Sequence, residues 1–116
     1  MDEDQIVKRE AHLLKHLLSH PKVNKNTLKE LLLRLVYVEM LDHDASFGEI
    51  YAVKATHESD LSVKRQAYLA CSHVLDEKSE LVVLLINTMQ HDLASEEYLV
   101  VCSALNAIAK LITDEN

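Results

Sequence analysis

Seven histidines, two cysteines and a group of lysines are the side chains whose type and spacing invite chemistry. His12, His16 and His20 recur at every fourth residue, so on one continuous helix their imidazoles share a side and two of them can chelate a metal. The set lacks partners: apart from Glu10 no carboxylate or thiolate stands close in sequence, and His20 adjoins Pro21, where a helix breaks. A solvated stripe is the expected role, and no metal is expected. A small helical metal-binding domain built on this stripe is the alternative of another class. His43-Asp44 and His91-Asp92 each set imidazole beside carboxylate. Neighbouring side chains on a helix diverge by about 100 degrees, so neither pair orients as a catalytic dyad must, and both are expected in turns or caps.

Other chemistry finds no foothold. There is no Gly-x-Ser-x-Gly elbow, no phosphate-cradling glycine loop and no HExxH, and a single glycine, Gly48, could not build such loops. No enzymatic activity and no cofactor are expected. Cys71 and Cys102 lie far apart among apolar neighbours, without zinc spacing, as small buried hydrophobes in a reducing compartment do. A basic cluster, Lys22, Lys25, Lys29 and Arg34, is interrupted by Glu30; its plain reading is a solvated helix face, and its functional reading is weak attraction to an anionic surface. Residues 1 to 35 carry seven Lys/Arg against five Asp/Glu, and residues 36 to 116 carry five against fourteen, for a net charge of -7. Acidity over most of the chain, with few aromatics to stack bases, speaks against nucleic acid.

The elements that must position these residues are helical. One glycine and one proline are too few for the turns of a sheet-rich fold of 116 residues. Apolar residues recur at helical spacing from residue 2 to 19, and Pro21 ends that helix. Asn26 is read as the cap of a second helix, apolar on nearly all sides and so needing cover. Ser46 and Glu49 read as a capping box opening a short third helix. Ser59 or Asp60 caps a fourth, Ser79 a fifth and Ser95 a sixth. The apolar run at residues 81 to 86 has no diagnostic period alone, but it continues to Leu93 without a turn signal and is read as helix. Nothing resembles a signal peptide or a bilayer-spanning run.

Residues 35 to 42 map onto 69 to 76 at an offset of 34, and Leu69 and Leu75 onto Leu105 and Leu111 at 36. A period near 35 with one helical hairpin per unit marks an all-α solenoid of about three antiparallel hairpins, armadillo or HEAT-like in kind. One domain over 1–116 is expected, with an N-terminal helix at 1–20 and repeats over 26–116. The last helix is as apolar as an interior one, so the chain reads as cut from something longer.

Within this frame the block Leu35-Val-Tyr-Val-Glu-Met-Leu-Asp-His-Asp-Ala-Ser-Phe-Gly-Glu-Ile-Tyr-Ala-Val-Lys-Ala-Thr-His57 resembles the start of the trunk in adaptor-complex large subunits, the adaptins. Lys64-Arg-Gln-Ala-Tyr-Leu-Ala70, Asn87-Thr-Met-Gln-His-Asp-Leu93 and Tyr98-Leu-Val-Val-Cys-Ser-Ala-Leu-Asn106 agree in order and spacing. The resemblance covers residues 25 to 113 and is most like the epsilon type of the fourth adaptor complex. Three positions depart from the family pattern: Asp42 and Ala67 stand where glycine is usual, and Glu49 where an aromatic is.

The resemblance implies a trunk segment that serves as a scaffold in vesicle-mediated protein transport, cytoplasmic and peripheral on trans-Golgi or endosomal membranes as part of a membrane coat. It implies as partners a small sigma, a medium and a beta-type large subunit, with an Arf-type GTPase and anionic lipid besides. For lipid the family's lysine cluster aligns with Leu28, Lys29 and Glu30, so only Lys29 is kept, with Lys22, Lys25 and Arg34 close by to attract anionic lipid more weakly; for the GTPase it points to Val53 and Lys54 on the third helix and Leu84 and Leu85 on the fifth. An unrelated armadillo, HEAT-like or coatomer-type fragment would share the periodicity but not the blocks.

Overall fold

A computed structural model describes residues 2–20, 23–75 and 78–114 of the chain. Its helices are α1 (Glu3–Leu18), α2 (Lys25–Met40), α3 (Glu49–Ala55), α4 (Leu61–Val74), α5 (Leu81–Leu93) and α6 (Tyr98–Asp114), with a 3-10 turn at Ser46–Gly48 leading into α3. No strand occurs among the described residues, and no helix there is long and apolar enough to cross a membrane.

Short connections fold the chain into three hairpins, α1–α2, α3–α4 and α5–α6. The second helices of the hairpins, α2, α4 and α6, pack side by side as one layer; α3 and α5 pack in the other, where α1 meets the 3-10 turn. The result is an all-α, two-layer plate measuring 50 × 36 × 21 Å. Its core is a continuous cluster running from Leu14 and Leu18 through Leu31, Leu32 and Leu35 to Tyr68, Cys71, Leu85 and Met89.

The repeat stands, in a different register. Helices α2, α4 and α6 begin at residues 25, 61 and 98, spaced by 36 and 37. At those offsets buried positions coincide: Leu31, Leu32, Leu35 and Val38 fall on Ala67, Tyr68, Cys71 and Val74, and Val63, Ala67 and Ala70 fall on Val100, Ala104 and Ala107. Matching leucine to leucine at 34 and 36 instead aligned buried Leu35 with half-buried Leu69 and exposed Leu105. Residue identity misled there because the inward face, not the side-chain type, is what repeats.

Caps explain most boundaries, and two expected ones are corrected. Asp2 caps α1, accepting the Gln5 N–H at 2.9 Å, and Asp60 caps α4, accepting those of Ser62 and Val63 at 3.0 and 3.2 Å. The α2 cap is Asn24 rather than Asn26: its Oδ1 accepts the Thr27 N–H at 2.8 Å, and the earlier start lets the Leu28 N–H reach the Asn24 carbonyl. The Ser46–Glu49 box does not form. Ser46 lies inside the 3-10 turn, where its N–H donates to Asp44 Oδ1 at 2.9 Å, and Glu49 accepts the Ser79 hydroxyl at 3.1 Å. That backbone bond from Ser46 holds the Asp44 carboxyl below its ordinary pKa. Ser79 and Ser95 accept the N–H groups of Leu81 and Glu97, with α6 starting at Tyr98.

Helix α2 closes in a Schellman motif, with the Asp42 N–H on the Glu39 carbonyl and the His43 N–H on the Val38 carbonyl. Asp42 takes the left-handed conformation at φ 62° that this motif requires, in the place where the resemblance leads one to expect glycine. Gly48 has a different reason. A β-carbon there would run into the side chain of Leu35, which is itself fully buried. Ala67, the other departure from glycine, sits in the core cluster without exposed surface.

Candidate interaction surface

The basic cluster is divided between two sides of α2. Lys25 and Lys29, one turn apart, face the start of α4: Lys25 Nζ lies 3.8 Å from Asp60, and Lys29 donates to the Ser62 hydroxyl at 3.3 Å. Arg34 projects toward α1, where its Nε is 3.1 Å from Glu10, and it also lies 4.0 Å from Glu30 one turn earlier on α2. Lys22 lies outside the described residues. Three of the four cations thus have partners within the chain, which weakens their attraction for an external anion.

The four positions assigned to a GTPase divide by burial. Val53 and Leu85 are 2% and 1% exposed and belong to the core, so no partner can touch them. Lys54 and Leu84 reach the surface. Lys54 borders an open hollow with Leu28, Tyr51 and Glu58, while Leu84 borders a cleft with His57, Glu58, His91 and Glu97.

His12 and His16 stand exposed on α1, but α1 ends at Leu18 and His20 lies beyond it. Among the described residues no group of three or more His, Cys, Asp or Glu is placed to hold a metal. His43 is in the loop after α2, with Nε2 3.4 Å from Asp4. His91 is exposed in the last turn of α5.

Asp92 corrects the reading of the second histidine–aspartate pair as cap residues. It is 3% exposed, and its oxygens accept Lys64 Nζ at 2.9 and 3.1 Å and the Tyr68 hydroxyl in a short bond. Lys64, 5% exposed, also donates to the Thr56 carbonyl at the end of α3, and its ammonium lies 5.9 Å from the Tyr68 ring centroid. This network ties α3, α4 and α5 together. Every buried side-chain nitrogen and oxygen among the described residues has a partner, the condition under which a charged pair survives inside a protein. Burial, then the Asp92 carboxylate, pushes the Tyr68 phenol well above its ordinary pKa. Helical period could have found the pair. Leu85, Thr88, Met89 and Asp92 are spaced as one inward face, as are Lys64, Tyr68 and Cys71, and a carboxylate at a core position demands a cation at another.

The surface most able to bind a partner is apolar. Val83, Leu84 and Ile86 on α5 are 62, 49 and 45% exposed, and Tyr98, Leu99 and Leu105 on α6 are 78, 51 and 52% exposed. The predicted need of α2 for cover is met only on one side, since Leu33, Tyr37 and Met40 remain open. Large apolar side chains left open on two helices of one hairpin are available for contact with a partner. Cys102 lies half-buried on α6 and Cys71 is fully buried, where burial and then the Glu49 charge push its thiol up to about 12.

Comparison with known proteins accords with this architecture. Residues 7–115 match the family described as the adaptin N terminal region. The chain is 54% identical over 114 residues to AP-4 complex subunit epsilon of Arabidopsis thaliana, covering 98% of this chain and 12% of that protein. It is 40% identical to AP-4 complex subunit epsilon-1 of Homo sapiens, over 98% of this chain and 10% of the relative. It is 27% identical to AP-2 complex subunit alpha-2 of Dictyostelium discoideum over 95% and 11%. The chain therefore spans about a tenth of the length of the curated relatives it matches. Within that span the Lys64, Tyr68 and Asp92 that lock the helices fall inside the blocks that carried the resemblance. This chain belongs to the adaptin family, as an adaptin N terminal region similar to AP-4 epsilon subunits.

Proposed function

We propose that this chain is a trunk segment of an adaptor-complex large subunit and works as a binding scaffold in vesicle-mediated intracellular protein transport. The observation that carries the reading is the set of large apolar side chains left exposed on α5 and α6, borne on a frame whose helices are locked by buried polar bonds. A rigid frame presenting open apolar side chains gains from association and has no need of a cofactor. Its partners in this reading are the small sigma, medium and beta-type large subunits, in a coat peripheral to trans-Golgi or endosomal membranes. An Arf-type GTPase would meet Lys54 and Leu84, the two assigned positions at the surface. Anionic lipid would meet Lys25, Lys29 and Arg34, with Lys22.

The test is a pull-down of the chain with a sigma-type small subunit and with a GTP-loaded Arf-type GTPase. Retention of either is expected, with sigma binding reduced in Val83→Asp/Tyr98→Ala and GTPase binding reduced in Lys54→Glu/Leu84→Ala. Binding to neither, by a chain whose circular dichroism shows intact helices, overturns the scaffold reading.

A further inference from the structure

We infer that the cleft beside the Lys64–Asp92 pair receives a basic segment of a partner protein, with an arginine seated against the carboxylates of Glu58 and Glu97 and an apolar neighbour on Leu84. The cleft, about 600 Å³, opens between the turn after α3, helix α5 and the start of α6. That is the size of a site able to enclose a side chain and its neighbour. Glu58 comes from the turn and Glu97 from the residue before α6, while Leu84, 49% exposed, supplies an apolar part of the wall.

Charge decides the kind of partner. The buried pair at the cleft is spent on itself: Lys64 gives its N–H groups to both Asp92 oxygens and the Thr56 carbonyl, and the two charges cancel. Glu58 and Glu97 then stand as surplus anions, for among the described residues neither carboxylate takes part in an ion pair. Lys54, which borders the neighbouring hollow with Glu58, forms no ion pair with it. His57 and His91 also line the cleft; the first bonds Thr88 Oγ1 at 3.0 Å, and the second lies 3.7 Å from Asp92. Residues 36 to 116, which build the cleft, carry five Lys/Arg against fourteen Asp/Glu, a field that gathers cations and repels anions.

Rigidity and shape narrow it further. Thr88 donates its hydroxyl proton to the Leu84 carbonyl at 3.0 Å and so accepts from the His57 ring, which ties the turn after α3 to α5. The Lys64–Asp92 bond ties α4 to α5, so the walls stand in place before a ligand arrives. A guanidinium suits two carboxylates, since it presents five N–H donors in one plane and holds water weakly, while its methylene stem can lie along Leu84. A metal ion does not fit: among the described residues no group of three or more His, Cys, Asp or Glu is placed to hold one. Leu84 belongs to the GTPase assignment as well, but Glu58 and Glu97 do not, and the basic segment needs no GTPase.

The experiment is fluorescence anisotropy of a labelled peptide, Gly-Leu-Arg-Leu-Arg-Gly, titrated with the whole chain at low salt, beside the same peptide with citrulline at both arginines. Citrulline keeps the shape and removes the charge. Saturable binding of the arginine peptide is expected, about fivefold tighter than that of the citrulline peptide and weakened by added salt. Glu58→Gln/Glu97→Gln should weaken the arginine peptide about fivefold and leave the citrulline peptide as it was. Leu84→Ala should weaken both. Glu3→Gln/Glu30→Gln removes the same charge from α1 and α2, away from the cleft, and should bind as the parent does. Equal affinity for the two peptides, no loss in Glu58→Gln/Glu97→Gln with helicity intact, or an equal loss in Glu3→Gln/Glu30→Gln overturns the inference. So does the absence of saturable binding up to about 1 mM chain.

Discussion

Replacing Lys64 by methionine keeps the length of the side chain and removes its charge. Asp92, 3% exposed, would then retain the Tyr68 hydroxyl and a distant His91 imidazole at 3.7 Å, having lost two bonds at 2.9 and 3.1 Å. Breaking a buried ion pair from one side costs about 3–5 kcal/mol, a large share of the 5–15 kcal/mol that holds a domain together. Asp92→Leu should cost a similar amount, because it leaves an ammonium with the Thr56 carbonyl and a phenol with nothing. The double variant Lys64→Met/Asp92→Leu removes both charges and strands only the Thr56 carbonyl and the Tyr68 hydroxyl. At about 1–3 kcal/mol for each stranded group, its loss should be about 2–6 kcal/mol, against about 6–10 kcal/mol for the summed singles. Urea unfolding followed by circular dichroism measures all four proteins, and the coupling, taken from the midpoints of those ranges, should be about 4 kcal/mol. A double variant that loses the sum of the singles, or a Lys64→Met that loses under about 1 kcal/mol, refutes the reasoning.

Three further outcomes follow from the fold. Asp42→Gly should raise stability by about 1 kcal/mol, since it relieves an L-residue at φ 62° and takes an anion from a helix C-terminus; the melting temperature should rise by about 4 °C. Gly48→Ala should lower stability by about 1–3 kcal/mol in the same melts, because its β-carbon overlaps a Leu35 that has no free space to move into. The Cys71 thiol, pushed up to about 12 by burial and Glu49, holds its proton in the folded chain after the unfolded chain has released it near 9. Its contribution is therefore intact below pH 9 and lost between 9 and 12, at about 1.4 kcal/mol per pH unit. Urea midpoints at pH 8 and 10 should fall in the parent and fall less in Cys71→Ala; equal falls would refute the assignment.

The helical hairpins were legible in the sequence because scarce glycine and proline, together with apolar spacing, leave few other folds open. Cap positions were less so. Asn24 and Asn26 have the same chemistry, and only the hydrogen bonds of the folded chain choose between them. The Ser46–Glu49 pattern failed because the preceding Asp44 competes for the same backbone group and wins a turn earlier. For the surface, adjacent residues proved to face opposite ways: Leu84 is open and Leu85 closed, so a segment-level alignment to a partner site carries half its residues into the core. The cations of α2 were visible by composition, but their carboxylate partners on α1 and before α4 arrive only through tertiary folding.

Greasy helix faces can slip past each other by a turn at modest expense, since one leucine fills another's place. The Lys64–Asp92 bond admits no such slip: moved by one turn of about 5 Å, the ammonium and carboxylate would each stand alone in the dry interior. The pair thus acts as an alignment pin between the second and third hairpins. Because it fixes where the third hairpin sits against the second, it also fixes the distance between Lys54 on one hairpin and Leu84 on the next. A molecule that must grip both at once finds them at a constant gauge.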